Sequence, residues 1–194
     1  MLDAKAREAI KGLDRLLGKG LARTGITPNA VTLTGVAVTV AASWLIVDGE
    51  FTTAGFVLVV GGLFDLADGA VARATGRTTT LGAFVDSVAD RVSDGLVLST
   101  LTWALVVRGE RTAAALALTA LVLAMLTSYV RAKAESLGYD CKVGLVERAE
   151  RLTVVIVGLV FHVFEIALGV LCVASAVTVM QRLVHVARQA RGDD

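Results

Sequence analysis

Five aspartates, Asp65, Asp68, Asp86, Asp90 and Asp94, stand within a short stretch of largely apolar sequence. A carboxylate near the centre of a bilayer costs about 2.5–3.5 kcal/mol on insertion scales, so several together need cations, partners or water. Asp65 and Asp68 are three apart and share a helix face; Asp86 and Asp90 are four apart and share another. Residues 76–78 are the turn between the two helices, so an antiparallel hairpin brings both pairs to similar depth. Carboxylates that converge in this way repel one another unless cations sit between them. Hard oxygen donors suit Mg²⁺, Mn²⁺ or Ca²⁺.

Small and basic residues frame the same acids. Gly69 follows Asp68 and Gly82 precedes Asp86 by one turn; neither favours a helix, and both permit close approach of a backbone or ligand. Arg73 lies near the end of the first acidic helix, where it could hold a phosphate bidentately. A second group is basic. Ser128 and Arg131, followed by Lys133, end one apolar run, and Arg148 and Arg151 open the next. A bundle would bring these ends towards the carboxylates, and arginine clusters suit a phosphate dianion. His162 and His185 lie far from the acids in sequence. Cys141 and Cys172 have neither metal-ligand spacing nor the setting for a disulfide.

The elements that must position these residues are membrane helices. The chain has 194 residues, 55% of them hydrophobic, with 19 glycines, one proline and a net charge of +1; its mean hydropathy is +0.71. That excludes a disordered chain and a small disulfide scaffold, and no global field points to nucleic acid. Apolar runs cover Val31 to Val47, Phe51 to about Thr75, Thr79 to Val107, Thr112 to about Leu137, Leu152 to Phe164, and Ile166 to about Ala187. The expectation is an all-α integral membrane protein with six transmembrane helices. The fifth run spans only if its charged residues from Glu147 to Arg151 form wet first turns. Residues 1–24 set Leu2, Ala6, Ile10, Leu13 and Leu17 against Lys5, Arg7, Lys11 and Arg15, the pattern of an amphipathic helix lying in the interface. Residues 25–194 form the bundle, and residues 1–194 are read as one domain. Of the 19 Lys and Arg residues, only Arg108 and Arg111 fall on the opposite side, and Arg91 lies inside a helix. The positive-inside rule puts both termini and the acidic site in the cytoplasm.

Residues 65 to 90 read Asp65-Leu-Ala-Asp68-Gly69-Ala-Val-Ala72-Arg73, then eight residues, then Gly82-Ala-Phe-Val-Asp86-Ser-Val-Ala-Asp90. This resembles the signature of the CDP-alcohol phosphotransferase family, DxxDGxxAR-x8-GxxxDxxxD, at every fixed position. The preceding Thr27-Pro28-Asn29-Ala-Val-Thr32 and the six-run pattern are also similar to that family. The resemblance implies a membrane enzyme that moves a substituted phosphate from a CDP-alcohol to a second alcohol and releases CMP. It implies that Asp65, Asp68 and Asp86 hold one divalent ion, and that Asp65, Asp86 and Asp90 share a second, with Mg²⁺ expected and Mn²⁺ possible. Asp90 would be the general base. Gly69, Arg73 and Gly82 would receive the cytidine diphosphate, with Pro28, Asn29 and Thr32 beside the nucleotide. A homodimer is implied as well. Asp94 lies outside the signature, and its neighbour Arg91 is expected to pair with it.

The acidic signature does not select the acceptor. The stretches Ser128-Tyr129-Val130-Arg131-Ala132-Lys133 and Gly144-Leu145-Val146-Glu147-Arg148-Ala149-Glu150-Arg151 resemble the actinobacterial phosphatidylinositol-phosphate synthase branch of the family. On that resemblance the donor is CDP-diacylglycerol and the acceptor is inositol 1-phosphate. Ser128, Arg131, Arg151 and Arg191 would hold its phosphate, and Lys133 and Arg148 complete the expected basic group. Two alternatives stay open: a phosphatidylglycerophosphate synthase using glycerol 3-phosphate, and a divalent-cation transporter. A transporter has no need of Gly69, Arg73 and Gly82 at these positions. The expected location is the plasma membrane.

Overall fold

The structure is a computed structural model that describes residues 26–75 and 79–192, with the side chains of residues 66, 68–70 and 72–75 outside that description. The amphipathic helix expected over residues 1–24 therefore lies outside the described residues. Six helices follow in order: α1 (Pro28–Val47), α2 (Phe51–Thr75), α3 (Thr80–Val107), α4 (Arg111–Ser136), α5 (Arg148–Phe161) and α6 (Phe164–Gly192). Their boundaries come from local chemistry. Thr27 caps α1 by accepting from the Ala30 N–H at 3.3 Å, with Pro28 at the first helical position, where a missing N–H costs nothing. Thr79 caps α3 through the Gly82 N–H at 3.0 Å.

Three helices end in the same way. At Asp48-Gly49-Glu50, Gly49 has φ +87°, and the Glu50 N–H reaches back to the Leu45 carbonyl at 2.9 Å. At Arg108-Gly109-Glu110, Gly109 has φ +78°, and the Glu110 N–H reaches the Leu105 carbonyl at 2.9 Å. Gly138, at φ +88°, closes α4 likewise, with the Tyr139 N–H on Ala134. Each is a Schellman end, in which left-handed glycine lets two carbonyls of the last turn find donors.

The principal helix contacts close a ring, α1–α2–α5–α6–α4–α3 and back to α1. The interior is small and the exterior large. Ala42, Ala54, Ala104, Ala113, Ala117, Ala120 and Ala124 are buried with Leu101, Leu105, Leu159 and Leu168. Trp44, Phe56, Phe84, Trp103, Ile166 and Val173 are exposed. This is the pattern of helices that pack through small residues and face lipid with large ones. Helices α1, α4 and α6 are long and apolar enough to cross a membrane.

The fifth helix differs most from the expected Leu152 to Phe164. It begins earlier, at Arg148, where the Glu147 N–H donates to the Glu150 side chain at 3.0 Å. It ends at Phe161 because His162 turns left-handed, at φ 56°. The His162 ring packs between Phe51 and Phe164, with centroids 5.9 and 5.8 Å away, and its Nε2 lies 2.9 Å from the Thr52 hydroxyl. Helix α6 runs past the apolar limit at Ala187 to Gly192.

Candidate active site

The acids of α2 and α3 meet the arginines of α5 inside the ring. The first turn of α5 carries Arg148 and Arg151, three apart and on one face. Cations at a helix N-terminus oppose the helix dipole, so partners elsewhere must offset them. One Arg148 guanidinium nitrogen, Nη1, contacts the Asp65 carboxylate and lies 2.8 Å from Asp90 Oδ1. Arg148 Nε is 3.8 Å from Asp94 Oδ1. Arg151, 7% exposed, donates from Nη2 to Asp94 Oδ2 at 2.7 Å. Asp94 is thus tied to α5. The expected Arg91–Asp94 pair gives way to a local one: Arg91 donates to the Ser87 carbonyl at 2.7 Å and sits 3.6 Å from Asp90, one residue away on its own helix.

Two cavities meet at Arg148. The larger, about 550 Å³, has a polar end formed by Asp65, Asp86, Asp90 and Arg148. Its other walls are apolar, among them Leu58, Val59, Leu63, Leu152, Ile156 and Val157, of which Val59, Leu63 and Val157 also face outward. The smaller, about 140 Å³, is polar. It is lined by Asp90, Arg91, Asp94, Ser128, Arg131, Glu147, Arg148, Arg151 and Arg182. Five guanidinium groups against three carboxylates leave this cavity net positive. Asp90 and Arg148 line both.

The basic cavity is assembled from four helices, α3, α4, α5 and α6, and a loop. Ser128 and Arg131 come from α4; Arg131 is held by Glu135 at 2.9 Å and lies 3.9 Å from Glu147. Arg182 comes from the middle of α6 and is 3% exposed. Its Nε donates to the Val143 carbonyl at 2.8 Å and its Nη1 to the Thr127 carbonyl at 2.7 Å, fastening the loop of residues 137–147 to α4. The same loop is pinned by the Leu145 and Val146 N–H groups on the Thr178 hydroxyl, at 3.2 and 3.1 Å. Two hydrogen bonds between Asp140 and Gln189, at 3.0 and 2.7 Å, hold its start. Gly144, at φ +151°, lies against α6 so closely that a Cβ there would fall 2.7 Å from Thr178 Cγ2.

Not every expected site residue reaches these cavities. Asp68, Gly69 and Arg73 belong to α2, but beyond their place in the helix they lie outside the described residues. Pro28 and Asn29 open α1, and Thr32 follows on its first turns with its hydroxyl on the Pro28 carbonyl at 3.2 Å. Asn29 Oδ1 is 3.5 Å from where a Gly82 Cβ would stand, so these residues gather at the adjoining N-termini of α1 and α3. Lys133 and Arg191 are exposed and line neither cavity. Lys133 is two residues from Arg131 and therefore faces away from it. Arg191 lies beyond the last turn that touches the cavity, and Arg182 takes the α6 position. An arginine inside the apolar stretch Val179-Met180-Gln181-Arg182-Leu183-Val184 was the signal for it.

A family model for CDP-alcohol phosphatidyltransferases matches residues 25–181. The chain belongs to the CDP-alcohol phosphatidyltransferase family. It is 37% identical over 196 residues to a phosphatidylinositol phosphate synthase of Mycobacteroides abscessus, covering 96% of this chain and 89% of that one. It is 38% identical to an archaetidylinositol phosphate synthase of Methanothermobacter thermautotrophicus, over 84% of this chain and 85% of that one. The phosphatidylinositol phosphate synthase of Mycobacterium tuberculosis, solved with CDP-DAG bound, superimposes with a TM-score of 0.81 at 34% identity, covering 89% of this chain and 92% of that one. The same enzyme has been solved in complex with manganese and citrate, again with a TM-score of 0.81, covering 89% of this chain and 88% of that one. The family is one of membrane-bound phospholipid-synthesising transferases.

Among the described residues no three carboxylate, thiol or imidazole groups stand close enough to hold a metal ion. The side chain of Asp68 lies outside those residues, and the Arg148 guanidinium lies between Asp65 and Asp90. The donor set nevertheless fits a hard divalent cation. Asp65, Asp86 and Asp90 present oxygen to one cavity, and two of them already receive a cationic nitrogen. No thiol competes: Cys141 is buried in the loop, where burial pushes its thiol up, and Cys172 donates to the Leu116 carbonyl at 3.3 Å.

Proposed function

We propose that this chain transfers a phosphatidyl group from CDP-diacylglycerol to inositol 1-phosphate, forming phosphatidylinositol phosphate and releasing CMP. The observation that carries this reading is that an amphipathic cavity and a cationic cavity share Asp90. A lipid diphosphate needs the first: a polar end beside the acids and an apolar slope opening outward at Val59, Leu63 and Val157. A phosphorylated acceptor needs the second, because the carboxylates would repel it unless guanidinium groups received its phosphate. The curated relatives are named for inositol phosphate products in both bacteria and an archaeon, which supports the acceptor.

Asp65, Asp68, Asp86 and Asp90 would hold two divalent ions, Mg²⁺ or Mn²⁺. When bound, such ions neutralise charge on the diphosphate and stabilise the attacking and leaving oxygens. The remaining work falls to side chains. Ser128, Arg131, Arg151 and Arg182 orient the acceptor phosphate, and Asp90, at the seam, takes the proton from the acceptor hydroxyl. That oxygen attacks the lipid-bearing phosphorus, the bond to the CMP oxygen breaks, and CMP leaves. Gly69, Arg73, Gly82, Pro28, Asn29 and Thr32 are assigned to the nucleotide. The displacement is taken as direct: neither cysteine lines the cavities, and Ser128, which lines the basic one, is assigned to the acceptor phosphate.

The whole chain is read as one six-span domain of the plasma membrane, with both termini and the site on the cytoplasmic face, and as a homodimer. The deciding experiment incubates purified protein with CDP-diacylglycerol, Mg²⁺ and, side by side, inositol 1-phosphate, free inositol and glycerol 3-phosphate, and measures CMP. Inositol 1-phosphate is expected to be preferred. Preference for free inositol would defeat the phosphate pocket. Preference for glycerol 3-phosphate would keep the pocket and make the enzyme a phosphatidylglycerophosphate synthase.

A further inference from the structure

Arg148 stands in an unusual place for a residue that opens a helix. Its Nη1 is shared between Asp65 and Asp90, two carboxylates of different helices that both belong to the acidic signature. Its Nε is buried without a hydrogen-bond partner, 3.8 Å from Asp94. The guanidinium is therefore well placed for charge but incompletely satisfied. Its side chain lines the larger acidic cavity and the smaller basic one. A turn of the side chain about its own bonds, with α5 fixed, carries the charge from one to the other.

We propose that Arg148 is a movable counter-ion that couples divalent-cation loading to phosphate binding. This rests on the proposed metal and phosphate-acceptor chemistry. The Asp65 and Asp90 oxygens that Arg148 touches cannot serve a guanidinium and a divalent ion together, because two cations a few ångströms apart repel. Cation loading then drives Arg148 into the basic cavity. There it adds to Arg91, Arg131, Arg151 and Arg182, which already outnumber the three carboxylates of that cavity, Asp90, Asp94 and Glu147, so the move is unfavourable until an anion enters. The cation favours the anion and, by linkage, the anion favours the cation to the same degree. Arg148 is on this account a positioning residue: it keeps the acids paired before loading and assembles the acceptor site afterwards.

The test reads binding rather than turnover, on the full chain in lipid nanodiscs. Free Mn²⁺ is followed by electron paramagnetic resonance, with inorganic phosphate as the anion probe. In the wild type, saturating phosphate is expected to lower the Mn²⁺ dissociation constant by about 5- to 150-fold, the ordinary range of coupling between sites. Arg148→Ala is expected to bind Mn²⁺ more tightly than the wild type without phosphate, and to lose most of the phosphate effect. Arg148→Gln, which keeps a neutral donor near Asp90, should behave alike and guards against collapse of the alanine variant. Lys133→Ala removes an equal charge at an exposed position that lines neither cavity, and it should leave phosphate-free Mn²⁺ binding and its phosphate response close to those of the wild type. Equal Mn²⁺ affinity in the wild type and both Arg148 variants would overturn the proposal. So would full phosphate coupling without Arg148, or a Lys133→Ala effect as large as that of Arg148→Ala. Absence of Mn²⁺ binding in every protein would remove the metal reading itself, and this proposal with it.

Discussion

The acidic and basic halves of the site are built differently. The carboxylates come from α2 and α3, which flank α1 in the ring; Asp86 and Asp90 are four residues apart on α3, so helix geometry alone aligns them. Of the arginines, Arg91 comes from α3 and the other four from α4, α5 and α6, with α4 and α5 joined by a loop that Arg182, Thr178 and Gln189 hold against the bundle. No local rule places Arg131, Arg151 and Arg182 together; only the closure of the helix ring does. The difference has a chemical logic. Oxygen ligands for a hard cation tolerate little positional error, and adjacent turns of rigid helices supply that precision. Recognition of a second substrate can be assembled from longer-range contacts, and it depends on the loop remaining in place. Damage to the acidic half should therefore appear in turnover, and damage to the basic half in the acceptor's Michaelis constant.

Asp90 gives the largest expected effect and the sharpest way to break this division. Asp90→Asn keeps the shape but cannot accept the proton. Turnover should fall by about 10²–10⁴-fold, the usual worth of a general base, while CDP-diacylglycerol binding stays largely intact. Parallel loss of turnover and lipid binding would make Asp90 a ligand or structural residue only. Arg151 comes next. A charge-assisted hydrogen bond is worth about 1.5–3 kcal/mol, so Arg151→Ala should raise the Michaelis constant for the phosphorylated acceptor about 10- to 100-fold. The constant for CDP-diacylglycerol should change far less. Because Arg151 also pairs with Asp94 at 2.7 Å, Asp94→Asn is the control. It breaks the ion pair but keeps the guanidinium, so it should leave acceptor recognition much nearer to that of the wild type. Equal damage from both variants would mean that the pair matters for structure alone.

The same division decides what could be read before the structure was known. The apolar runs end at Asp48-Gly49-Glu50 and Arg108-Gly109-Glu110, where glycine closes the helix by a purely local device, and there the expected and observed boundaries agree within a few residues. The juxtaposition of Asp86 and Asp90 is legible for the same reason, their spacing being their geometry. The basic half is not. Arg191 and Lys133 were expected beside the acceptor phosphate, but they line neither cavity. Arg182, which does line one, was counted only as cytoplasmic charge. Its role depends on the Val143 and Thr127 carbonyls, distant in sequence. Asp94 shows the same limit: an arginine neighbour stands close to it in sequence, but Arg151 of α5 makes the hydrogen bond to the carboxylate. The start of α5 is likewise set by a charged first turn that gains its stability from acids on α2 and α3.

The smallest expected effect tests whether the loop acts on the basic half alone. Gly144 sits at φ +151°, a conformation that side chains disfavour, and an added Cβ would stand 2.7 Å from Thr178 Cγ2. The Thr178 methyl cannot simply turn aside, because its hydroxyl accepts the Leu145 and Val146 N–H groups and donates to the Ala174 carbonyl at 2.9 Å. Gly144→Ala must therefore lift the loop or shift α6, at a cost of about 1–3 kcal/mol, as for overpacking elsewhere. Either response moves Val143, whose carbonyl orients Arg182. The variant should melt several degrees lower and show a few-fold higher Michaelis constant for the acceptor. Turnover at saturating acceptor should be nearly unchanged, because the acids of α2 and α3 make none of these loop contacts. A fall in saturated turnover as large as the change in the Michaelis constant would show that the two halves are mechanically joined, with Arg148 as the natural link between them.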